Sequence, residues 1–294
     1  LPLGNAAWEI NLFSGVCGSV ATGLAAALFS SSTRWMLGER ITRWRGLNFM
    51  ASVSVALLFA FSASMWSQAV IAEVYTLHAL LIGMFLASLY AWLRRPESLS
   101  LLMTPFFLLA LSFSNHQLSV ALAPLPLLAV LLVRREIFWD LVVASAITLL
   151  IVFLGFAILS EEMPVLKTGI RLFYCVAAGF VALVVLKKFR VEWRLVAYLP
   201  FVVVLGLLPY AYMPLASSTN PPMNWAYTRT PEGFYFSFNR SQYGGSLSEQ
   251  SLRSLGKLMG TSGHAKTPAE DPGSLPKRSL LERLQEWVGF FWSK

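Results

Sequence analysis

Apolar residues along this chain arrive in long blocks, not in strict alternation. Eight blocks cover roughly residues 10–31, 46–66, 70–93, 99–115, 117–133, 139–159, 169–187 and 195–214. A hydrocarbon layer about 30 Å thick is crossed by about 20 helical residues rising about 1.5 Å each. The pattern therefore predicts an all-α fold, a polytopic transmembrane helical bundle of about eight spans. A membrane β-barrel would show alternating segments of about ten residues, and the sequence has none. The fourth and fifth blocks meet at Ser114-Asn115-His116-Gln117 with almost no loop, which predicts a tight re-entrant-like pair or a helical hairpin. The first block carries Gly15, Gly18, Ala21, Gly23 and Ala25, small residues that let helix backbones approach closely.

The pattern changes near residue 214, and four regions result: a transmembrane helical domain over 1–214, an extracytoplasmic aromatic and polar segment over 215–243, a flexible loop over 244–280, and the start of a further membrane-associated helix over 281–294. Asn220-Pro221-Pro222-Met223-Asn224-Trp225 reads as a turn-rich exit from the membrane. Residues 230–243 read as a short amphipathic element, and 244–280 has the Gly, Ser, Lys and Glu content of a loop. Residues 279–292 are amphipathic enough to lie on the membrane or to enter it.

Composition supports the membrane reading. Of 294 residues, 56% are hydrophobic and 13% charged, against about 25% charged in a typical soluble domain. One water-soluble core of this length could not hide so much apolar surface. The net charge of +8 does not indicate nucleic acid as a partner, because the basic residues sort by topology. Arg34, Arg40, Arg43 and Arg45 follow the first block, Arg94 and Arg95 the third, and Arg134 and Arg135 the fifth. Lys187, Lys188, Arg190 and Arg194 follow the seventh. The intervening connections hold only Lys167 and Arg171. The positive-inside rule puts the basic connections in the cytoplasm and the N-terminus, the Trp66–Tyr75 segment, the Asn115-His116 corner and the residues after 214 on the extracytoplasmic side. Cys17 and Cys175 fall in apolar blocks and read as packing residues, so neither a disulfide nor a metal site is expected. The chain begins at Leu1 and its last residues resemble a hydrophobic segment cut short, which predicts a piece of a longer protein.

Candidate chemistry collects on the side predicted to face outward. Glu73 has no neighbouring Lys or Arg and sits at the membrane boundary, where a carboxylate is costly and commonly functional. Two readings stand: an interfacial residue in the first turn of the third span, favoured there by the helix dipole, or a polar group of an outer cavity with Gln68, Tyr75 and His78. His116 with Asn115 is either a structural residue at a helix end or a donor to a phosphate or sugar oxygen. Lys167 and Arg171 either balance Glu161 and Glu162 or hold an anionic lipid headgroup. Asn224, Trp225, Tyr227, Asn239, Arg240, Gln242 and Tyr243 either line a carbohydrate site or form an interfacial aromatic belt. No phosphate-binding Gly-Lys loop, Cys-x-x-Cys or His-Glu-x-x-His motif occurs. The only aspartates are Asp140, predicted cytoplasmic, and Asp271.

Five strings resemble a known family: 66–75, Ser114-Asn115-His116, Leu208-Pro209-Tyr210 through Pro214, 220–225, and Arg240-Ser241-Gln242-Tyr243. In order and spacing, over roughly residues 1–243, the chain resembles the domain-of-unknown-function family 2723, related to eukaryotic transmembrane protein 260. The resemblance implies a GT-C type membrane glycosyltransferase that faces its active site outward. It would take a sugar from a polyprenyl-phosphate carrier and pass it to a protein or glycan acceptor, with the lipid bilayer as its other partner and no cofactor or metal. A first-loop carboxylate would be general base on the acceptor hydroxyl; that motif is expected upstream of Leu1, so the catalytic residue is unknown and the fragment alone is expected to be inactive. Gln68, Glu73, Tyr75, Asn115 and His116 are then candidate cavity residues, and Asn224, Trp225, Arg240, Gln242 and Tyr243 candidate rim residues. The alternative is a non-enzymatic multispanning protein, a lipid or solute transporter or a scaffold. Transporters show internal repeats with broken helices at midplane, and no repeat is evident in the sequence.

Overall fold

The computed structural model describes residues 5–159 and 192–238, and all regular structure within them is helical. Helix α1 (Ala6–Leu37) starts where the Asn5 side chain accepts from the backbone N–H of Ala7 at 3.0 Å and of Trp8 at 3.5 Å, which satisfies two otherwise orphaned donors. Then follow α2 (Arg45–Ala60), α3 (Ala63–Ala69), α4 (Tyr75–Arg94) and α5 (Leu99–Asn115). A 3₁₀ turn over Gln117–Leu122 leads into α6 (Pro124–Val133), and α7 (Phe138–Leu159) precedes α8 (Trp193–Leu207), α9 (Pro209–Ser218) and α10 (Pro231–Phe238). The chain divides into units 1–235 and 236–294, and the packing below is that of the first.

Two breaks interrupt the expected spans. Helices α2 and α3 meet at 65°, with Ser62 capping α3 by accepting from Met65 N–H at 3.3 Å. Helices α8 and α9 meet at 42°, where Pro209 has no N–H to continue the α8 ladder. Among the described residues, Ala7–Leu37 and Tyr75–Arg94 are long and apolar enough to cross a membrane unbroken, and up to four spans result if each bent pair counts as one. The expected fourth and fifth spans form apolar helices too short to meet the same measure, because His116 separates them and the second begins as a 3₁₀ turn. The block 139–159 forms α7, while 169–187 lies outside the described residues. Of the predicted 230–243 element, α10 realises 231–238 and 239–243 lies outside the described residues, as do the regions 244–280 and 281–294.

Helix α1 runs antiparallel to α2 and parallel to α4, and α4 runs antiparallel to α5. Leu24 of α1 packs on Gly83 of α4, and further along Tyr90 donates to Ser31 O at 2.8 Å. Asn48 of α2 donates to Ser30 O and Oγ at 3.3 and 3.0 Å. Helix α2 buries Asn48, Ser52 and Ala56 in a row against α1 and exposes Phe49, Met50, Leu57 and Leu58. A helix with small and polar residues inward and large apolar ones outward suits lipid as solvent, where tight contact and hydrogen bonds replace the hydrophobic drive between helices. The core proper lies among α4, α5, α6, α7 and α8, around Phe85, Trp92, Leu102, Val130, Leu141, Leu195 and Leu199. Helix α8 runs parallel to α5: Tyr198 and Leu99 share one cleft, and Gly206 meets Phe107 and Ala110. At the end where the connections are basic, Arg134 pairs with Glu97 at 3.1 Å and Glu136 at 2.6 Å. This basic end and the opposite end, which holds most of the motif strings, are the two poles of the bundle.

Candidate functional site at the motif end

Helix α3 stops at Ala69, and residues 70–74 turn before α4 begins at Tyr75. Glu73 lies in that turn, exposed, with its N–H donating to Ile71 O at 3.0 Å. The expectation that it occupies the first turn of a span starting at residue 70 is corrected: the helix starts later, after Val74 at its N-cap position, and its first turn holds no acidic residue. Val70, Ile71 and Val74 are β-branched and poor at prolonging a short helix without packing support. Gln68 lies on α3, half-buried, and its Oε1 is buried with no hydrogen-bond partner. Ser14 Oγ on α1 and Thr76 Oγ1 on α4 are in the same condition, in the seam where Gly18 touches Met65, Ala69 and Thr76.

Helix α5 ends at Asn115, and its next residue does two jobs. The His116 backbone is extended (φ −148°, ψ 115°) and its N–H closes α5 on Ser112 O at 2.8 Å. Its side-chain Nδ1 then accepts from Leu118 N–H at 3.3 Å, so an imidazole caps the following 3₁₀ turn in place of the usual hydroxyl or amide. The structural role anticipated for His116 is therefore present. It does not use up the ring, which faces His78 with centroids 4.9 Å apart and Tyr75 at 5.7 Å. Asn115 donates from Nδ2 to Val74 O at 3.1 Å and thereby ties the α5 terminus to the turn that carries Glu73.

Three side chains complete this cluster. His78 Nδ1 lies 3.3 Å from Ser112 Oγ, Ser112 Oγ lies 2.7 Å from Ser119 Oγ, and Ser119 donates to His116 O at 2.9 Å. His78 was legible as a deeper neighbour of Glu73; Ser112 and Ser119 were not, because serines inside apolar blocks read as packing residues. The signal that points to them is polar residues recurring on both sides of one helix-breaking histidine.

The third and fourth motif strings attach to the same end of the bundle. Ser114 donates to Gly206 O at 3.0 Å and Tyr210 donates to Phe113 O at 3.2 Å, so the α8–α9 bend rests on the last turn of α5. Asn224 donates to Ser217 O at 3.1 Å and accepts from Ser217 Oγ at 2.8 Å, and Thr228 donates to Met213 O at 2.8 Å. These bonds fold the 220–228 segment back on α9, through left-handed backbone at Asn220, Ala226 and Tyr227, a conformation uncommon outside glycine. Asn224 thus spends its amide on Ser217, while Trp225 is exposed and Arg229 is bonded to Asn220. The structure brings together Tyr75, Asn115 and His116 of the predicted cavity, with Glu73 on the adjoining turn. Arg240, Gln242, Tyr243, Lys167 and Arg171 lie outside the described residues.

Among the described residues no group of three or more His, Cys, Asp or Glu side chains could hold a metal ion. The chemistry on offer is hydroxyl, amide and imidazole hydrogen bonding next to an exposed carboxylate. An apolar cleft of about 420 Å³ runs between α5 and α8, lined by Met103, Phe107, Tyr198, Phe201 and Leu205 among others. Its upper residues, Phe107 and Leu205, border the Gly206 contact below the site.

Residues 1–139 match the family model described as the protein O-mannosyl-transferase TMEM260 N-terminal domain. The matched residues are less than half of the chain and include the motif strings 66–75 and 114–116, with His78, Ser112, His116 and Ser119. No curated protein and no solved structure matches the chain.

Proposed function

We propose, from the premise that residues 1–139 carry a TMEM260-type N-terminal domain, that this chain is the membrane core of a GT-C type glycosyltransferase. It would move a sugar from a polyprenyl-phosphate carrier to a protein or glycan hydroxyl on the extracytoplasmic side. The match points to a protein O-mannosyltransferase-like membrane family, which makes mannose the first sugar to test. The observation that carries the reading is convergence. Strings far apart in sequence, at 66–75, 114–116, 208–214 and 220–225, are joined to one end of the bundle by the Asn115–Val74, Ser114–Gly206, Tyr210–Phe113 and Asn224–Ser217 hydrogen bonds. Transmembrane packing alone needs no such polar assembly at a single pole.

The assignments follow from that geometry. The Tyr75–His78–His116 cluster binds and orients the neutral, hydroxyl-bearing parts of the substrates. Glu73, exposed on the turn before α4, acts as an orienting or supporting carboxylate. The α5–α8 cleft is apolar and, at about 420 Å³, has room for part of an isoprenoid chain, which supports a lipid-linked donor. Membranes containing the full-length protein, incubated with radiolabelled polyprenyl-phosphate mannose and an acceptor peptide rich in Ser and Thr, test the proposal. Label should pass to the peptide, and Glu73→Gln should slow transfer by tenfold or more, about 1.4 kcal/mol. No transfer by the wild type, or passage of the intact lipid across the membrane instead, contradicts it.

A further inference from the structure

The hydroxyl groups around His78 bear on which of its nitrogens carries the proton. Ser119 has one hydroxyl hydrogen, and it goes to a carbonyl that can only accept, His116 O, at 2.9 Å. By distance alone either hydroxyl of the 2.7 Å contact between Ser119 and Ser112 can donate; with the Ser119 hydrogen on His116 O, the donor is Ser112. Ser112 has spent its own hydrogen, so the 3.3 Å contact with His78 requires Nδ1–H of the imidazole to donate to Ser112 Oγ. The chain of donation runs from His78 Nδ1–H through Ser112 and Ser119 to the His116 carbonyl, and each member has one hydrogen to give. In the neutral ring the lone pair is thereby forced onto Nε2. Ser112 and Ser119 are each about 1% exposed, so water does not compete with this order, whereas His78 itself is half-buried and Tyr75 beside the cluster is exposed.

We propose that His78 Nε2 is a preset hydrogen-bond acceptor that binds and positions a hydroxyl group of the ligand. An acceptor nitrogen welcomes an O–H and is poorly matched to the acceptor-only oxygens of a phosphate. The site therefore selects the neutral, hydroxyl-bearing partner, either the sugar or the Ser/Thr acceptor, and leaves the carrier phosphate to other groups. The identity of that hydroxyl rests on the sugar-transfer reading; the protonation order of the ring does not.

Long-range ¹H–¹⁵N correlations on the full chain, labelled at histidine and held in lipid nanodiscs, read the ring directly, with His116→Asn and His264→Asn variants assigning the signals. His78 is expected to show a protonated Nδ1 and an unprotonated Nε2, and Ser112→Ala should shift its population toward the Nε2–H form. A wild-type ring protonated on Nε2 alone overturns the proposal. Methyl α-mannoside and N-acetylthreonine amide are then added separately, with inorganic phosphate as the third probe. A shift of His78 Nε2 with the mannoside assigns the sugar, and one with the threonine amide assigns the acceptor. A response to phosphate alone, or to none of the three, overturns the hydroxyl assignment. Loss of the radiolabel transfer with the ring order intact would instead overturn the transferase reading and leave the hydroxyl site standing.

Discussion

A glycine decides how closely α5 and α8 approach. A Cβ at Gly206 would lie 2.7 Å from both Ala110 Cβ and Phe107 O, and the same backbone accepts the Ser114 hydroxyl. Gly206→Ala is expected to lower stability by about 1–3 kcal/mol through overpacking, measured by thermal unfolding in detergent. Gly23→Ala is the control, with nothing within 4 Å of its Cβ; it should be neutral or slightly stabilising, since alanine favours a helix over glycine by about 1 kcal/mol. Thr76 presents a different case. Its Oγ1 is buried and unpartnered while its Cγ2 packs near Gly18. Replacing an unsatisfied hydroxyl by a methyl of the same shape removes a desolvation cost, so Thr76→Val should leave stability unchanged or raise it by up to about 1 kcal/mol in the same unfolding assay. A clear loss would show that this hydroxyl has a partner in the folded protein.

Among elements, the connections are where sequence and structure part. Block lengths were legible because a hydrocarbon layer imposes them: α5 falls on the expected limits, and α1, α2 and α4 overlap theirs with shifted ends. The breaks were not. The 65° bend at Phe61-Ser62 depends on how α3 packs against α1, and the late start of α4 moved Glu73 out of a helix into a turn. The link from Asn115 to Val74 was legible only as two polar strings; their contact is a tertiary fact. At the basic end Arg134 ties the connection at Glu97 to that at Glu136, and donates weakly to Pro96 O at 3.4 Å. Its hydrogen bond holds the Glu136 carboxyl below the usual carboxylate range, with help from a backbone N–H and from the Arg134 charge. A depressed folded value means the tie is complete above the ordinary glutamate range and is lost as pH falls through the lower folded value. Hydrogen exchange at residues 95–98 and 134–137, corrected for its intrinsic rate, should rise over that acidic window, and Glu136→Gln should remove that part of the response. The effect is local, because these groups are exposed and such pairs add little to global stability.

At the scale of the molecule, one pole is basic and structural and the other polar and convergent. The basic pole was readable from arginine positions alone, since Arg34, Arg94 and Arg134 follow apolar blocks whose ends lie together in the bundle. The convergent pole was readable only in part. Composition and spacing marked Glu73, Asn115 and His116, whereas the ordered hydroxyl chain through Ser112 and Ser119 exists only once α4, α5 and the 117–122 turn are packed. The proposed sugar transfer requires these strings to form a single face on the extracytoplasmic side, where a lipid-linked sugar and its acceptor would meet. Accessibility of single cysteines tests this most directly, in sealed membrane vesicles with Cys17 and Cys175 replaced by alanine. Ala72→Cys and Asn220→Cys should react with a membrane-impermeant maleimide from the extracytoplasmic side, and Gly38→Cys and Glu97→Cys only after the membrane is opened. Labelling of the basic-end pair alone, or of one motif-end position without the other, would contradict it.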